Sequence, residues 1–209
     1  TDNSGIYIRG RDTTSELRSH STGIFTWAIT GSEKMRIDSS GHVGIGVTNP
    51  GDFKSGAQNL VVGSGSGAEG MTIYSAYNAS GRICFADNDG ANDEERGVIQ
   101  YAHDDNHMQF NTDATERMRI DSGGNVGIGT TSPDGTLHVH SGSAGSVTAN
   151  SGADDLVVEN SGDTGISILT ANGNNTTAVI FGCPDQTIGA AIRYNNNSSE
   201  MSLGPDDPG

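Results

Sequence analysis

Met118-Arg-Ile-Asp-Ser-Gly-Gly-Asn-Val-Gly-Ile-Gly-Thr-Thr-Ser-Pro133 decides how this chain is read. Met35-Arg-Ile-Asp-Ser-Ser-Gly-His-Val-Gly-Ile-Gly-Val-Thr-Asn-Pro50 is almost the same stretch, 83 residues earlier. Twelve of the sixteen aligned positions are identical, and the differences, at 40/123, 42/125, 47/130 and 49/132, fall in or near expected turns. Self-similarity at a long period marks a repeat protein.

Each copy predicts a β-hairpin. On the incoming strand Met35 and Ile37 share one face while Lys34, Arg36 and Asp38 share the other, as the two-residue strand period requires. Met118 and Ile120 stand likewise against Arg117, Arg119 and Asp121. Asp38-Ser-Ser-Gly41 and Asp121-Ser-Gly-Gly124 supply an Asp acceptor and small residues, with Gly41 and Gly124 free to take the positive φ of a type I turn closed by a bulge. The outgoing strand sets Val43, Ile45 and Val47 on one face and only Gly44 and Gly46 on the other; the second copy sets Val126, Ile128 and Thr130 against Gly127 and Gly129. Alternating glycine is entropically unfavourable in a strand and marks close backbone approach. The expectation is that this face is pressed against another chain or sheet. The plainer alternative is a solvent-facing strand with an unimportant back.

The segment from Glu116 to Pro133 resembles the linker hairpin repeated in tail fibres of bacteriophages, marine ones especially, with the pattern Glu-Arg-Met-Arg-Ile-Asp-Ser-x-Gly-Asn-Val-Gly-Ile-Gly-Thr-x-x-Pro. The segment from Glu33 to Pro50 departs from it at Lys34, His42, Val47 and Asn49. The likeness runs upstream through Gly81-Arg-Ile-Cys-Phe-Ala-Asp87, Gly97-Val-Ile-Gln-Tyr101 and Met108-Gln-Phe110, covering most of one unit and parts of two others. It implies an all-β, elongated homotrimeric fibre of small β-domains in tandem, joined by the Gly-rich β-hairpins, located on a virion and extracellular. The partners it implies are further copies of the chain, other tail or virion proteins, and a host cell-surface glycan or protein. Which receptor is bound is not specified. Members of this family often end in a self-cleaving chaperone domain; these residues contain none, so no autocatalysis is assigned to them.

Composition points the same way. Only 32% of the 209 residues are hydrophobic and 5% aromatic, with 31 Gly, so a single chain is expected to bury a thin core or none. The apolar residues nevertheless fall in short alternating runs, which favours β-structure over disorder. Sharing a core among several chains reconciles the two. Three chains would bury Met35, Ile37, Val43 and Ile45, and Met118, Ile120, Val126 and Ile128, around a common axis. A net charge of −15 argues against nucleic-acid binding, which needs a basic surface, and against adhesion to anionic membranes. Cys84 and Cys183 make no disulfide framework, and no apolar run reaches the roughly 18 residues of a membrane-spanning helix. No signal peptide opens the sequence, and both ends fall inside repeats, so it reads as a section of something longer.

The organisation expected is therefore the end of a first repeat with its hairpin (residues 1–50), a complete second repeat (51–133), and a third lacking its hairpin (134–209). In the first, Ile6 to Ile8 forms a strand, the stretch from Arg9 to His20 is a polar connection, and Phe25, Trp27 and Ile29 share a strand face, with Trp27 read as core rather than as a sugar-stacking residue. In the second and third, Leu60-Val-Val62 aligns with Leu156-Val-Val158, and Gly70-Met-Thr-Ile-Tyr74 with Gly165-Ile-Ser-Ile-Leu169. Ile83 to Phe85 aligns with Val179 to Phe181, Gly97 to Tyr101 with Gly189 to Tyr194, and Met108 to Phe110 with Met201 to Leu203. Each is expected to be a short strand, with insertions confined to loops and no helix.

No catalytic constellation emerges, and no enzyme activity, cofactor or metal is expected. The stretch from Asp87 to Glu95 is rich in carboxylates but lacks calcium-loop spacing: with Gly90 as the sixth position the first would be Phe85. It reads as a solvated loop. His138 and His140 share a strand face, and His103 and His107 flank a turn; a trimer would bring three copies of one His together, but without a further fixed ligand they read as strand filler. The Gly-Ile-Gly stretches lie mid-strand with no helix after them, so they are no phosphate loop. The sequon matches at Asn78, Asn174, Asn175, Asn196 and Asn197 are what an Asn-rich sequence produces by chance. Function is thus expected to be structural, carrying or spacing receptor-binding regions. The alternatives are a cellular adhesin or extracellular filament protein and, behind it, a polysaccharide depolymerase, for which no acid pair stands out.

Overall fold

The computed structural model describes residues 7–9, 15–87, 95–171, 175–184 and 186–204. The chain is all-β and divides into two units, Thr1–Tyr74 and Ser75–Gly209. The first carries one sheet of six strands in chain order: β1 (Tyr7–Arg9), β2 (Ser15–Ser19), β3 (Phe25–Ile29), β4 (Ser32–Ile37), β5 (Val43–Ile45) and β6 (Leu60–Val62). The second carries a seven-stranded sheet, also in chain order: β7 (Ser80–Phe85), β8 (Gly97–Ala102), β9 (His107–Thr112), β10 (Thr115–Ile120), β11 (Val126–Ile128), β12 (Leu137–His140) and β13 (Leu156–Glu159). It also carries a three-stranded sheet of β14 (Thr176–Cys183), β15 (Gln186–Asn195) and β16 (Glu200–Gly204).

Sequential antiparallel pairing makes each of the two larger sheets a meander up to its Val-Gly-Ile strand. There the direction changes: β6 joins β5 in parallel, and β12 and β13 follow β11 in parallel. Leu60–Val62 therefore belongs to the first sheet, and its pairing corrects the sequence alignment. Val43, Gly44 and Ile45 face Leu60, Val61 and Val62 as Val126, Gly127 and Ile128 face Leu137, His138 and Val139. The counterpart of β6 is thus β12, and β13 is an addition. The identical Leu-Val-Val triplets of β6 and β13 pointed the alignment to the wrong strand.

Two expected elements turn out otherwise. The stretch from Arg9 to His20, expected as a polar connection, contains β2, whose Glu16 and Leu17 lie opposite Ala28 and Trp27. Met71–Tyr74 and Ile166–Leu169, expected as strands, are paired with none among the described residues. The carboxylate-rich segment 88–94 and Asn174 lie outside the described residues.

The sheets are two-faced, and the burial is inverted from the usual arrangement. One face of the first sheet is a continuous apolar surface. Ile8, Leu17, Trp27, Met35, Ile45 and Val62 form one cross-strand row, and Phe25, Ile37, Val43 and Leu60 another. In the seven-stranded sheet the corresponding rows are Ile83, Ile99, Phe110, Met118, Ile128, Val139 and Val158, and Tyr101, Met108, Ile120, Val126, Leu137 and Leu156. These faces are half-buried to exposed. Trp27 is 45% exposed, so it is not core within its own chain as expected. The opposite, polar face is the covered one: on β3, Thr26 and Ala28 are buried while Phe25, Trp27 and Ile29 are not. Ala28 lies between Glu16 and Glu33, and Thr26 between Arg18 and Arg36, so long charged neighbours flank the small residues. Among the described residues the buried hydrophobic side chains are only Ala28, Val98, Ala102 and Ala191.

Candidate functional site

The repeated hairpin is built around one carboxylate. Asp38 Oδ1 accepts the backbone N–H groups of Ser40 (2.8 Å) and His42 (2.9 Å), and Oδ2 accepts from His42 Nδ1 at 2.9 Å. Asp121 does the same with Gly123 (2.8 Å), Asn125 N–H (2.9 Å) and Asn125 Nδ2 (3.2 Å). His42 and Asn125, a difference between the copies, therefore do the same work, each donating to the turn carboxylate. His42 Nε2 in addition accepts from the Gln58 amide at 2.9 Å. Burial alone would raise the Asp38 carboxyl, but the bonds from His42 and Ser40 outweigh it and hold the group below its usual range. Gly41 (φ +87°) and Gly124 (φ +89°) take the left-handed conformation expected of them, and each donates its N–H back to the Asp carbonyl at 3.0 Å.

Upstream, the pairing of β3 with β4 steps from Met35 directly to Glu33, leaving Lys34 as a bulge; β9 with β10 skips Arg117 in the same way. The extra residue brings Glu33 to the side of Arg36, although three residues along a regular strand would set them on opposite faces. Arg36 then grips the carboxylate with two bonds, Nε to Oε1 at 2.5 Å and Nη2 to Oε2 at 2.8 Å. Arg119 repeats the fork on Glu116 at 2.6 and 2.9 Å. The bulged residues also hold the far end of the hairpin: the Lys34 and Arg117 carbonyls accept the N–H groups of Gly46 and Gly129, each at 2.9 Å. The Glu-x-x-Arg spacing was visible in both copies. Its meaning was not, because it depends on the bulge.

Gly44 and Gly127 lie opposite Arg36 and Arg119, on the face those side chains occupy. A Cβ on Gly44 would come 2.6 Å from the Val47 carbonyl oxygen, and one on Gly127 2.6 Å from that of Thr130. Gly46 (φ +80°) and Gly129 (φ +77°) combine positive φ with close approach to the carbonyls of Gly63 and His140. Close approach was expected, and it exists, but from this chain's own backbone. The expectation that these glycines clear a neighbouring chain is thereby corrected. The strand curls back after each Val-Gly-Ile-Gly, so its own carbonyls fill the space. The face open to neighbours is the other one, with Met35, Ile37, Val43 and Ile45, and Met118, Ile120, Val126 and Ile128.

Two histidine groups complete the polar side. His107, buried at the start of β9, donates to Asp105 Oδ1 (2.5 Å) and Gln109 Oε1 (2.8 Å), and Gln109 donates to Asn111 (3.0 Å). Burial pulls the His107 ring down, yet the bonds to Gln109 and Asp105 prevail and raise it above its usual range. His103 instead meets the Tyr101 ring edge-on at 5.0 Å. Farther along, Asp134, His138 and Glu159 offer ligand atoms within 4.8 Å of one another, the one such trio among the described residues. Their hydrogen bonding does not suit a cation. His138 Nδ1 accepts the Asp134 N–H at 3.2 Å, which fixes the ring proton on Nε2, and that nitrogen lies 3.1 Å from Glu159 Oε2 without good alignment. Ligation through Nε2 would put a proton on Nδ1, facing the backbone N–H. The backbone N–H of Ala144 (2.6 Å) is the main cause that keeps the Glu159 carboxyl below its usual range, with His140 and His138 adding to it against burial. His138 is 2% exposed within its own chain, which removes it from any metal site shared around a trimer axis.

Each constellation is thus a self-locked hairpin within one sheet rather than the expected link between domains: a carboxylate-locked turn, a bulge, an Arg–Glu fork and glycines that let the chain fold back, with an apolar face left uncovered. Neither a scan against models of known protein families nor a search of curated proteins finds a match.

Proposed function

We propose that the chain is a structural section of a bacteriophage tail fibre or spike shaft, assembled as a homotrimer, which spaces or carries regions that bind a host surface glycan or protein. The observation that supports this reading is the uncovered apolar face, formed by equivalent residues of the two hairpins and continued across each sheet. Large contiguous apolar surface on a soluble chain marks an interaction site, and a surface repeated along one chain is most simply matched by the same surface on other copies. Weak receptor contacts presented three at a time would add through effective concentration. In each hairpin the Arg is engaged by the Glu, and the Asp by turn N–H groups and by His42 or Asn125, so these groups hold the hairpin's shape.

Sedimentation equilibrium of the 209-residue chain tests the assembly. The expected mass is three times the 21.6 kDa of one chain, and a folded monomer at micromolar concentration would overturn it. Gold-labelled antibody against the chain tests the location. Label on particle tails is expected, whereas label confined to cell surfaces would favour a cellular adhesin.

A further inference from the structure

Two stretches of the chain have a strand's residue pattern and no place in a sheet among the described residues. Residues 68–76 and 163–171 each run for nine residues with neither turn, bend nor strand pairing, and they are the same stretch in the second and third repeats, offset by 95. Met71 and Ile166 are each 66% exposed, and Tyr74 and Leu169, also equivalent, are 97% and 88% exposed. Ile73 and Ile168 share the strand face of Met71 and Ile166 and are exposed as well. Alternating apolar side chains are the pattern of a half-buried strand, and a strand without a partner finds its match at the edge of a sheet.

We propose that these stretches are donor strands, residues 68–76 adding to the open edge of β7 and residues 163–171 to that of β14 in a second copy of the chain. Three observations select that occupant. Each of the two repeats carries one such stretch and, immediately after it, one edge strand, β7 and β14 respectively, unpaired on one side among the described residues. Those edges are apolar on the matching face, through the exposed Ile83 and Phe85 on β7 and Val179 and Phe181 on β14. Between stretch and strand the chain turns and is tied off: the Ala79 N–H bonds the Ala76 carbonyl, and the Ala79 carbonyl accepts the N–H of His103, just beyond β8. Strand addition supplies backbone bonds along the whole donor and extends the open apolar face by Met71 and Ile73, or Ile166 and Ile168. The inference rests on the trimer proposed above and names how its chains are linked.

Cys84, free and exposed on β7, gives the test. Cys84 shares a face with Arg82, opposite Ile83 and Phe85, so donor residues on its side are Thr72 and Tyr74 rather than Met71 and Ile73. Thr72→Cys and Tyr74→Cys, each in a Cys183→Ser background, would be refolded as an equal mixture of isotopically heavy and light chains, weighed by sedimentation, oxidised and digested. Strand donation predicts a trimer in which one of these cysteines links to Cys84 in mixed heavy–light peptides, in the statistical proportion. A trimer whose links are all between peptides of one isotope would mean a hairpin within each chain and overturn the inference while leaving the trimer standing. A trimer with no link to Cys84 from either position would overturn it equally. A monomer would remove the assembly itself. Ile73→Pro, at a position exposed in the single chain, serves as the second variant: the strand content measured by circular dichroism should persist while assembly weakens at least tenfold, and unchanged assembly would count against donation.

Discussion

At the scale of single residues, the glycines of the hairpin separate three kinds of necessity. Gly41 is held by its backbone conformation alone, with open space where a side chain would be; Gly44 has ordinary φ but no room; Gly46 and Gly129 have neither freedom. Gly44→Ala and Gly127→Ala are therefore expected to lower stability by about 2 kcal/mol, the cost of forcing a methyl group against a backbone oxygen. Gly41→Ala should cost about 1 kcal/mol from the left-handed conformation alone, and Ser39→Ala less than about 0.5 kcal/mol. Urea unfolding at several protein concentrations checks this. The Gly44 deficit should be the same at each concentration, because the obstruction lies within one chain. A deficit that appears only in the association constant would restore the neighbouring-chain reading. That Gly-x-Gly demanded close approach was legible from entropy alone. Which backbone approaches was not, because the Val47 and Thr130 carbonyls reach Gly44 and Gly127 only through the curl of the strand's end, a feature of φ/ψ rather than of residue type.

At the scale of elements, alternation and turn chemistry located most strands, and the failures share a cause. β2 was missed because Ser15-Glu-Leu-Arg-Ser19 offers one apolar residue, and its charged members sit on the covered face as partners of one another, with Arg18 bonded to Glu16. Residues 71–74 and 166–169 carry a strand pattern and find no partner among the described residues, because alternation reports what a stretch is suited to and not who supplies its ladder. The two-residue turns give a direct comparison. Between β3 and β4 the turn is Thr30-Gly31, and between β9 and β10 its equivalent is Asp113-Ala114, with φ of +51° and +77° in the first and +52° and +54° in the second. Positive φ at both central positions is the type I′ geometry that suits hairpin twist, and Ala is poorly fitted to its second position. Ala114→Gly, which writes the first copy's residue into the second, is expected to raise stability by about 1 kcal/mol. A thermal or urea midpoint that falls instead would show that Ala114 is relieved by a contact the single chain lacks.

At the scale of the whole molecule, two quantities pull against each other. The residues suited to a core lie on open sheet faces, while the chain carries a formal charge of −15 that every added copy multiplies. Association through apolar faces removes water from side chains such as Trp27, Ile45 and Ile128, at roughly 25 cal/mol per Å² of apolar surface. The acidic groups oppose this at distances that salt screens, since the screening length falls from about 30 Å at 0.01 M to about 8 Å at 0.15 M. If the faces hold the assembly, raising salt across that range should tighten it several-fold, with the chain's own circular dichroism unchanged. If interchain ion pairs hold it, the same change should loosen it. The ion pairs described within the chain favour the first outcome: Arg36 and Arg119 are already engaged by Glu33 and Glu116, and Arg82 by Glu95, so these cations are committed before a second copy arrives. Concentration-dependent sedimentation at the two salt levels decides between them. Tightening would place the attraction on the apolar faces, and loosening would move it to charged groups and leave those faces without an occupant.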